Sequence, residues 1–253
     1  MSAAVMGSDE LDGALERDRI DMGYKFDFSK VLQGEYLDLI LQGLQTTMVL
    51  FAISWVIGLV LAIFLTVVRA IEFKPTQLLV AAFVEYHRNV PILIQLFVWY
   101  FGFAVVLPDV VNDYLNDIGA EIGYAIVALA LNKAAYMSED FRSGLRSIHP
   151  AQMEAARSIG LTYLGAMRWV ILPQAWRLAL PALLGQTLIL FKGTSLAAGI
   201  GVAELSYQAR YVEEQSFRIF EAYGLVTAIY MLISFAIMWG SSILSTRYRL
   251  RVK

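Results

Sequence analysis

Two lysines lie inside apolar runs of the sequence, where a charge is expensive to accommodate. Lys133 follows Asn132, and Lys192 shortly precedes Thr194 and Ser195. At a helical rise of 1.5 Å per residue, Lys133 lies about 16 Å from the start of its apolar run and Lys192 about 21 Å from the start of its own. The two runs cross the membrane in opposite directions, so both lysines are expected near its middle. A charge there costs about 2.5–3.5 kcal/mol unless it has a partner, and no Asp or Glu is expected at matching depth. These five residues are therefore candidates for a polar pathway in which a solute carboxylate meets an ammonium group.

Other chemistry is narrowly limited by the residue types present. Lys192 could instead bond backbone carbonyls at Gly193 or pair across a dimer. Ser195 with Lys192 is the one pair that could act as nucleophile and base, although such pairs are more often structural. The chain has no cysteine and two histidines, which excludes thiolate chemistry, disulfides and a histidine-rich metal site. The sequence lacks a GxxxxGK[ST] motif, so any ATP hydrolysis belongs to another chain. We expect no catalytic residue, no metal site and no cofactor bound by this chain.

The composition is that of a membrane protein. Hydrophobic residues make up 58% of the 253 residues, and the mean hydropathy is +0.59, whereas soluble domains are about 45–50% apolar. A formal net charge of −2 argues against a nucleic-acid partner. Several runs are long enough to cross a hydrocarbon core of about 30 Å, so we predict an all-α, polytopic fold with five transmembrane helices in a lipid bilayer. The predicted spans lie near 44–68, 75–108, 122–141, 178–203 and 222–246.

The segments between the spans predict the topology. Three alternate segments are richer in Lys and Arg than the other three, namely 69–88, 139–177 and 247–253. The positive-inside rule makes this set cytoplasmic, which puts the N-terminus in the periplasm and the C-terminus in the cytoplasm. We divide the chain into an acidic N-terminal tail (1–38), a transmembrane domain (39–247) and a basic cytoplasmic tail (248–253). We expect the N-terminal tail to be mobile and to contain no signal peptide, with Met22 as an alternative start, and 109–121 to be an acidic loop.

The longest polar stretch between two spans, Pro150–Pro173, predicts two short amphipathic helices joined at a glycine. Pro150 suits a first helical turn, and Gly160 stands where a left-handed residue would end the first helix. Thr162 can cap the second helix, which Pro173 is expected to end. The apolar faces should comprise Met153, Ala156 and Ile159 in the first helix and Leu164, Met167 and Ile171 in the second. The alternative from spacing alone is an amphipathic helix that rests on lipid.

The same stretch also carries a motif. Its letters EAA at 154–156, G at 160 and VILP at 170–173 resemble the EAA loop of bacterial ABC-importer permeases, EAA-x3-G-x9-I-x-L-P, with Val170 in place of Ile. In that family the loop is a cytoplasmic coupling helix that docks into a groove on the ATPase subunit. The resemblance implies a type I ABC-importer permease with its coupling loop at 150–173. The residues implied in ATPase coupling are Glu154, Ala155, Ala156, Gly160, Leu172 and Pro173. We expect Ala155 and Ala156 to be small because the ATPase groove approaches them closely.

Three further segments narrow the resemblance to permeases for polar amino acids. Residues 88–97 are similar to R-[GN]-x-P-L-x-x-Q-x-x, residues 131–139 to LNxAAYxxE, and residues 190–205 to LKxTSL…GVAEL. The likeness covers roughly 40–247 and leans towards the glutamate/aspartate branch. It implies a permease subunit of the bacterial cytoplasmic (inner) membrane that pairs with a copy of itself or a sister permease. It also implies an ATP-binding cassette ATPase dimer on the cytoplasmic side and a periplasmic amino-acid-binding protein that delivers the substrate.

An ion-coupled secondary transporter or channel subunit is the alternative from another class of protein. Such a protein has ionisable residues along its pathway and often paired repeats, whereas this sequence shows no internal repeat. Arg88 and Pro91 are gating candidates. Pro91 should kink the second span, and Arg88 either snorkels to lipid headgroups or faces a subunit interface and gates.

Overall fold

The computed structural model describes residues 24–71 and 73–248, and all of its regular secondary structure is helical. A short 3-10 turn, Phe28–Lys30, precedes the first helix. The helices are α1 (Glu35–Ala70), α2 (Lys74–Asn89), α3 (Ile92–Val106), α4 (Asp109–Ile118), α5 (Ala120–Arg146), α6 (Ala151–Ser158), α7 (Tyr163–Ile200), α8 (Leu205–Ser216) and α9 (Ile219–Tyr248). The prediction of an all-α protein is confirmed. The predictions for 1–23 and for the basic tail beyond Tyr248 lie outside the described residues.

Three helices, α1, α7 and α9, are each long and apolar enough to cross a membrane. Two further pairs pass the same test only together: α2 with α3, bent by 110°, and α4 with α5, bent by 104°. Counting each bent pair as one span gives the five spans that the sequence predicts. The bounds differ, because α1 begins at Glu35 rather than near 44 and α7 begins at Tyr163 rather than at 178.

Helix α5 lies at the centre of the fold, packed against α1 on one side and α7 on the other. Small residues permit this close packing. A Cβ at Gly58 of α1 would lie 3.2 Å from the backbone oxygen of Ala130, and a Cβ at Gly144 of α5 would lie 2.6 Å from that of Ala175. The backbones therefore approach closely, and α5 holds its side chains in fixed positions relative to both neighbours.

The second predicted span is broken rather than kinked. Val90 is extended (φ −92, ψ 130) and Pro91 begins α3, so the chain turns by 110° between Asn89 and Ile92. A residue before proline is driven out of the helical region, and the proline itself donates no hydrogen bond. The expectation that Pro91 only kinks the second span is therefore wrong, and the break creates a corner inside the membrane domain.

The predicted acidic loop at 109–121 is largely a helix. Pro108 directly precedes α4, and Leu115 is buried while Asp109 and Asp113 remain exposed. Val111, Leu115 and Ile118 recur at the spacing that is typical of an amphipathic helix, and this spacing indicates the structure better than the acidic residues do.

The end of the predicted N-terminal tail is packed against α9. The Tyr24 hydroxyl and the Asp27 amide both donate to the Glu221 carboxylate, the latter at 2.8 Å, and Glu221 also pairs with Arg218. Val31 is fully buried against the same end of the fold. From Tyr24 onward the segment is thus ordered by specific contacts, and for these residues the expectation of a mobile tail is wrong.

Candidate functional site

The coupling-loop candidate begins with α6 and a tight turn at Gly160. The Gly160 amide donates to the Arg157 carbonyl (3.0 Å) and the Leu161 amide to the Ala156 carbonyl (3.2 Å). Gly160 has φ +92, a left-handed conformation that favours glycine. This is the Schellman arrangement that ends a helix. The predicted helix–glycine–helix geometry is confirmed.

The helix after the turn differs from the prediction at its far end. Thr162 caps α7 as expected, with its hydroxyl oxygen accepting from the Gly165 amide at 3.1 Å. Pro173 does not end this helix, which runs on without a break to Ile200. Proline excludes the carbonyl four residues before it, and a π-helical stretch, Met167–Ile171, widens the backbone just ahead of Pro173. The second helix of the coupling loop and the fourth membrane span are therefore one continuous helix, whose last seven residues, Thr194–Ile200, are 3-10 helical.

The predicted apolar faces of this loop are only partly buried. Ala156 and Ile171 are buried, whereas Ile159 is 79% exposed and Leu164 is 77% exposed. Ala156 packs against its own chain, which already limits the size of its side chain, and close approach of an ATPase groove to Ala155 and Ala156 stays a prediction. The other residues implied in coupling, Glu154, Ala155, Gly160, Leu172 and Pro173, are exposed.

A second candidate site lies at the α2–α3 corner, where an open cavity of about 440 Å³ faces α5 and α7. Four predicted residues line it together: Arg88, Pro91, Asn132 and Lys133. Its lining also includes Gln186 of α7 and Tyr136 of α5, which sequence reasoning did not single out. A signal for Tyr136 was present, because it follows Lys133 by three positions and so shares its face of the helix.

Lys133 is 5% exposed, and its direct contacts within the described chain are neutral, although the Asp140 carboxylate of the same helix is close enough to attract it. Its ammonium nitrogen lies 3.4 Å from Gln186 Oε1 and 5.0 Å from the centroid of the Tyr136 ring. Asp140 lies two helical turns further along the same face of α5, and among the described residues its buried Oδ2 has no hydrogen-bond partner. The lysine thus keeps donor capacity for a solute.

Arg88 shares the aromatic ring used by Lys133. Its guanidinium carbon lies 5.6 Å from the Tyr136 ring centroid, and the Tyr136 hydroxyl donates to the Arg88 carbonyl at 3.1 Å. A cation gains attraction over the face of such a ring. Two cations therefore converge on one wall of the cavity, which makes that wall electropositive.

The second predicted lysine does not belong to this cavity. Lys192 is exposed on α7, and neither it nor Thr194 or Ser195 lines the space. The Ser195 hydroxyl donates to the Lys192 carbonyl and the Thr194 hydroxyl to the Phe191 carbonyl, both at 2.7 Å. Six residues of helix separate Lys192 from Gln186, about 9 Å of rise and a different face. Of the five pathway candidates, Asn132 and Lys133 line this cavity, and the other three lie outside it; that those three line a pathway stays a prediction.

Sequence reasoning also missed a buried carboxylate at the start of α8. Glu204 is fully buried and caps α8 by accepting from the Tyr207 amide at 2.9 Å. The Tyr230 hydroxyl of α9 donates to it at 2.8 Å, and Thr47 of α1 lies within 3.4 Å. Glu204 thereby joins three helices. Among the described residues no group of three His, Asp or Glu side chains is placed to hold a metal ion.

Comparison with known proteins agrees with these features. Residues 56–250 match the family described as binding-protein-dependent transport system inner membrane component. The probable amino-acid ABC transporter permease protein PatM of Vibrio harveyi is 36% identical over 225 residues, which are 89% of this chain and 94% of PatM. The probable glutamine ABC transporter permease protein GlnM of Bacillus subtilis is 36% identical over 212 residues, covering 84% and 92% of the two chains.

A solved structure shows the same architecture. The structure described as an amino acid ABC transporter with histidines has a TM-score of 0.77 at 31% identity, covering 88% of this chain and all (100%) of that one. The overall arrangement of the helices is thus that of a known fold. The chain belongs to the binding-protein-dependent transport system inner membrane components, as a multi-pass permease subunit of an amino-acid ABC importer whose ATP is hydrolysed by a separate chain.

Proposed function

We propose that this importer carries an acidic amino acid, glutamate or aspartate, and that the cavity at the α2–α3 corner is this subunit's part of the path. The observation that carries the proposal is the charge of the cavity lining, in which Arg88 and Lys133 are cations and no Asp or Glu takes part. A buried cation calls for a compensating anion. Gln186 and the Tyr136 ring offer Lys133 only neutral partners.

The charged side chains at and near the cavity match both the carboxylates and the ammonium group of an acidic amino acid. An acidic amino acid has two carboxylates and one ammonium group, and Lys133 and Arg88 supply one cation for each carboxylate. The Asp140 oxygen that is unpaired among the described residues lies on α5 two turns from Lys133 and would suit the ammonium group. The volume of about 440 Å³ falls within the roughly 300–1,000 Å³ of small-molecule sites.

The exposed side of the coupling loop supports docking of the ATPase. Around the Gly160 turn, Ile159, Leu164 and Trp169 are 79%, 77% and 69% exposed. Apolar groups clustered at a surface mark an interaction site. Glu154 and Ala155 stand beside them on α6, so in this proposal the ATPase covers α6 and the start of α7 together.

The remaining assignments follow from the importer class. The family implies a second permease subunit, and we propose a symmetric pair made of this chain and either a copy or a sister chain. A periplasmic binding protein delivers the solute, the N-terminus is periplasmic and the C-terminus cytoplasmic, and this chain binds no cofactor.

The test is uptake by the complete complex in proteoliposomes, with L-glutamate, L-aspartate and L-glutamine compared. Loss of one charge-assisted contact in Lys133→Met should reduce the preference for glutamate over glutamine about tenfold to a hundredfold. Lys192→Met is the matched comparison, because it removes the lysine that lies outside the cavity. An unchanged preference in Lys133→Met would contradict the proposal, and a loss confined to Lys192→Met would move the site to the other face of α7.

A further inference from the structure

We propose that Gln95 is a positioning residue for transport: its buried amide holds the α2–α3 corner at a fixed angle and thereby fixes Arg88 at the cavity wall. This inference rests on the proposed function in one respect, because it takes that cavity as the solute path. Gln95 is fully buried and lies in the first turns of α3, on the far side of the break from Arg88.

The break leaves a specific backbone group without its helical donor. In a continuous helix the His87 carbonyl would accept from the amide four residues later, and that residue is Pro91, which has no N–H. Inside a membrane domain no bulk water replaces the missing bond, and each unsatisfied group is costly. A side chain must therefore supply the donor.

Gln95 supplies it, together with two further contacts. Its amide nitrogen donates to the His87 carbonyl at 3.0 Å and to the Val90 carbonyl at 2.7 Å. Its amide oxygen lies 2.7 Å from His87 Nδ1. Because the amide nitrogen faces two carbonyls, the oxygen must face a donor, so Nδ1 carries the proton. One side chain of α3 thus bonds both the end of α2 and the residue before the proline.

Helix α5 completes the arrangement and links it to the cavity. Asn132 donates to the same His87 carbonyl at 2.9 Å, and Tyr136 donates to the Arg88 carbonyl at 3.1 Å. The carbonyl of Arg88 and the carbonyl of the residue before it are therefore both held by side chains from outside α2. If Gln95 is lost, the α2–α3 angle is no longer held and the guanidinium group leaves its place over the Tyr136 ring.

The first readout is the angle of the corner itself. The chain has no cysteine, so Leu79→Cys in α2 and Phe101→Cys in α3, at positions 71% and 63% exposed, can carry a pair of spin labels without background. The assembled complex is prepared with an excess of unlabelled chain so that only pairs within one chain are seen. We expect a narrow distance distribution with Gln95, and a broadened or shifted one in Gln95→Met and in Gln95→Asn, whose amide is one methylene too short.

The second readout is uptake of L-glutamate and L-glutamine by the same complexes. Both variants should raise the KM about tenfold to a hundredfold, since the Val90 carbonyl loses its donor and the His87 carbonyl keeps only Asn132, while basal ATPase activity stays as in the wild type. Gln77→Met is the matched control: Gln77 also donates to a backbone carbonyl, of Ile71 at 3.0 Å, but in an exposed position where water can replace it. It should change neither readout.

An unchanged distance distribution in folded Gln95→Met, or a wild-type KM alongside a changed distribution, would overturn the positioning role. Failure of both Gln95 variants to assemble would assign Gln95 to folding and would overturn it as well. If the wild type transports neither L-glutamate nor L-aspartate, the proposed function fails, whereas the spin-label distances still decide whether Gln95 holds the corner.

Discussion

Gly160 is the position at which one added methyl group should separate assembly from ATPase coupling. Its φ of +92 lies in the left-handed region, and an added Cβ would meet nothing within 4 Å. The cost of Gly160→Ala is therefore backbone strain alone, about 1–2 kcal/mol. Strain of that size lowers the population of the native turn about 5–30-fold relative to its alternatives. Helix α6 would then lose its fixed orientation on the end of α7.

The assay compares substrate transported with ATP hydrolysed by the complete complex in proteoliposomes. We expect Gly160→Ala to insert and to recruit the ATPase in normal amounts but to transport less substrate per ATP. Gly160→Asn is the matched comparison, because Asn tolerates the left-handed conformation better than Ala does. The ratio of substrate transported to ATP hydrolysed in Gly160→Asn should fall between the ratios of Gly160→Ala and the wild type.

Equal ratios in all three proteins would refute the argument from strain. A loss as large in Gly160→Asn as in Gly160→Ala would point to contact between the new side chain and the ATPase, which also contradicts a purely conformational effect.

Three further predictions concern topology and packing. Reporter fusions at Asn116 and Gln215 should be periplasmic and one at Thr162 cytoplasmic, and a cytoplasmic signal at Asn116 would contradict the orientation. Gly144→Ala should lower the thermal midpoint of the purified complex by an amount equivalent to about 1–3 kcal/mol, because its Cβ would lie 2.6 Å from a backbone oxygen of α7; an unchanged midpoint would refute this close contact. Glu204→Ala should cost about 2–4 kcal/mol through the lost cap and the partners left unbonded, with Glu204→Gln much milder, and equal thermal midpoints for the two variants would contradict that account.

Local signals in the sequence were sufficient for the coupling turn. Gly160 and Thr162 act through bonds to residues within five positions, so their conformations could be predicted from neighbouring residue types. The helical class followed from long apolar runs in the same way. Pro173 misled the prediction, because its effect on α7 depends on a π-helical stretch that no simple spacing rule indicates.

The cavity could be predicted only in part, because it depends on contacts between distant segments. Helical rise gave the depth of Lys133 and Lys192 but not the direction in which each side chain points. Pro91 indicated an interruption, whereas the hydrogen bonds at the 110° corner come from Gln95 and Asn132, the latter from α5. Ala156 shows the same limit, since its burial by its own chain cannot be read from the motif that contains it.

The unbroken course of α7 has a mechanical consequence. The helix has 38 residues and is therefore about 57 Å long. Glycines with positive φ stand just outside both of its ends, Gly160 at +92 and Gly201 at +91, so the chain changes direction outside the helix. A rod of that length that pivots about one end moves its other end by about 1 Å for each degree of rotation. A tilt of a few degrees imposed at the coupling turn would thus displace the opposite end by several ångströms through rigid-body rotation, with no change in the conformation of the helix.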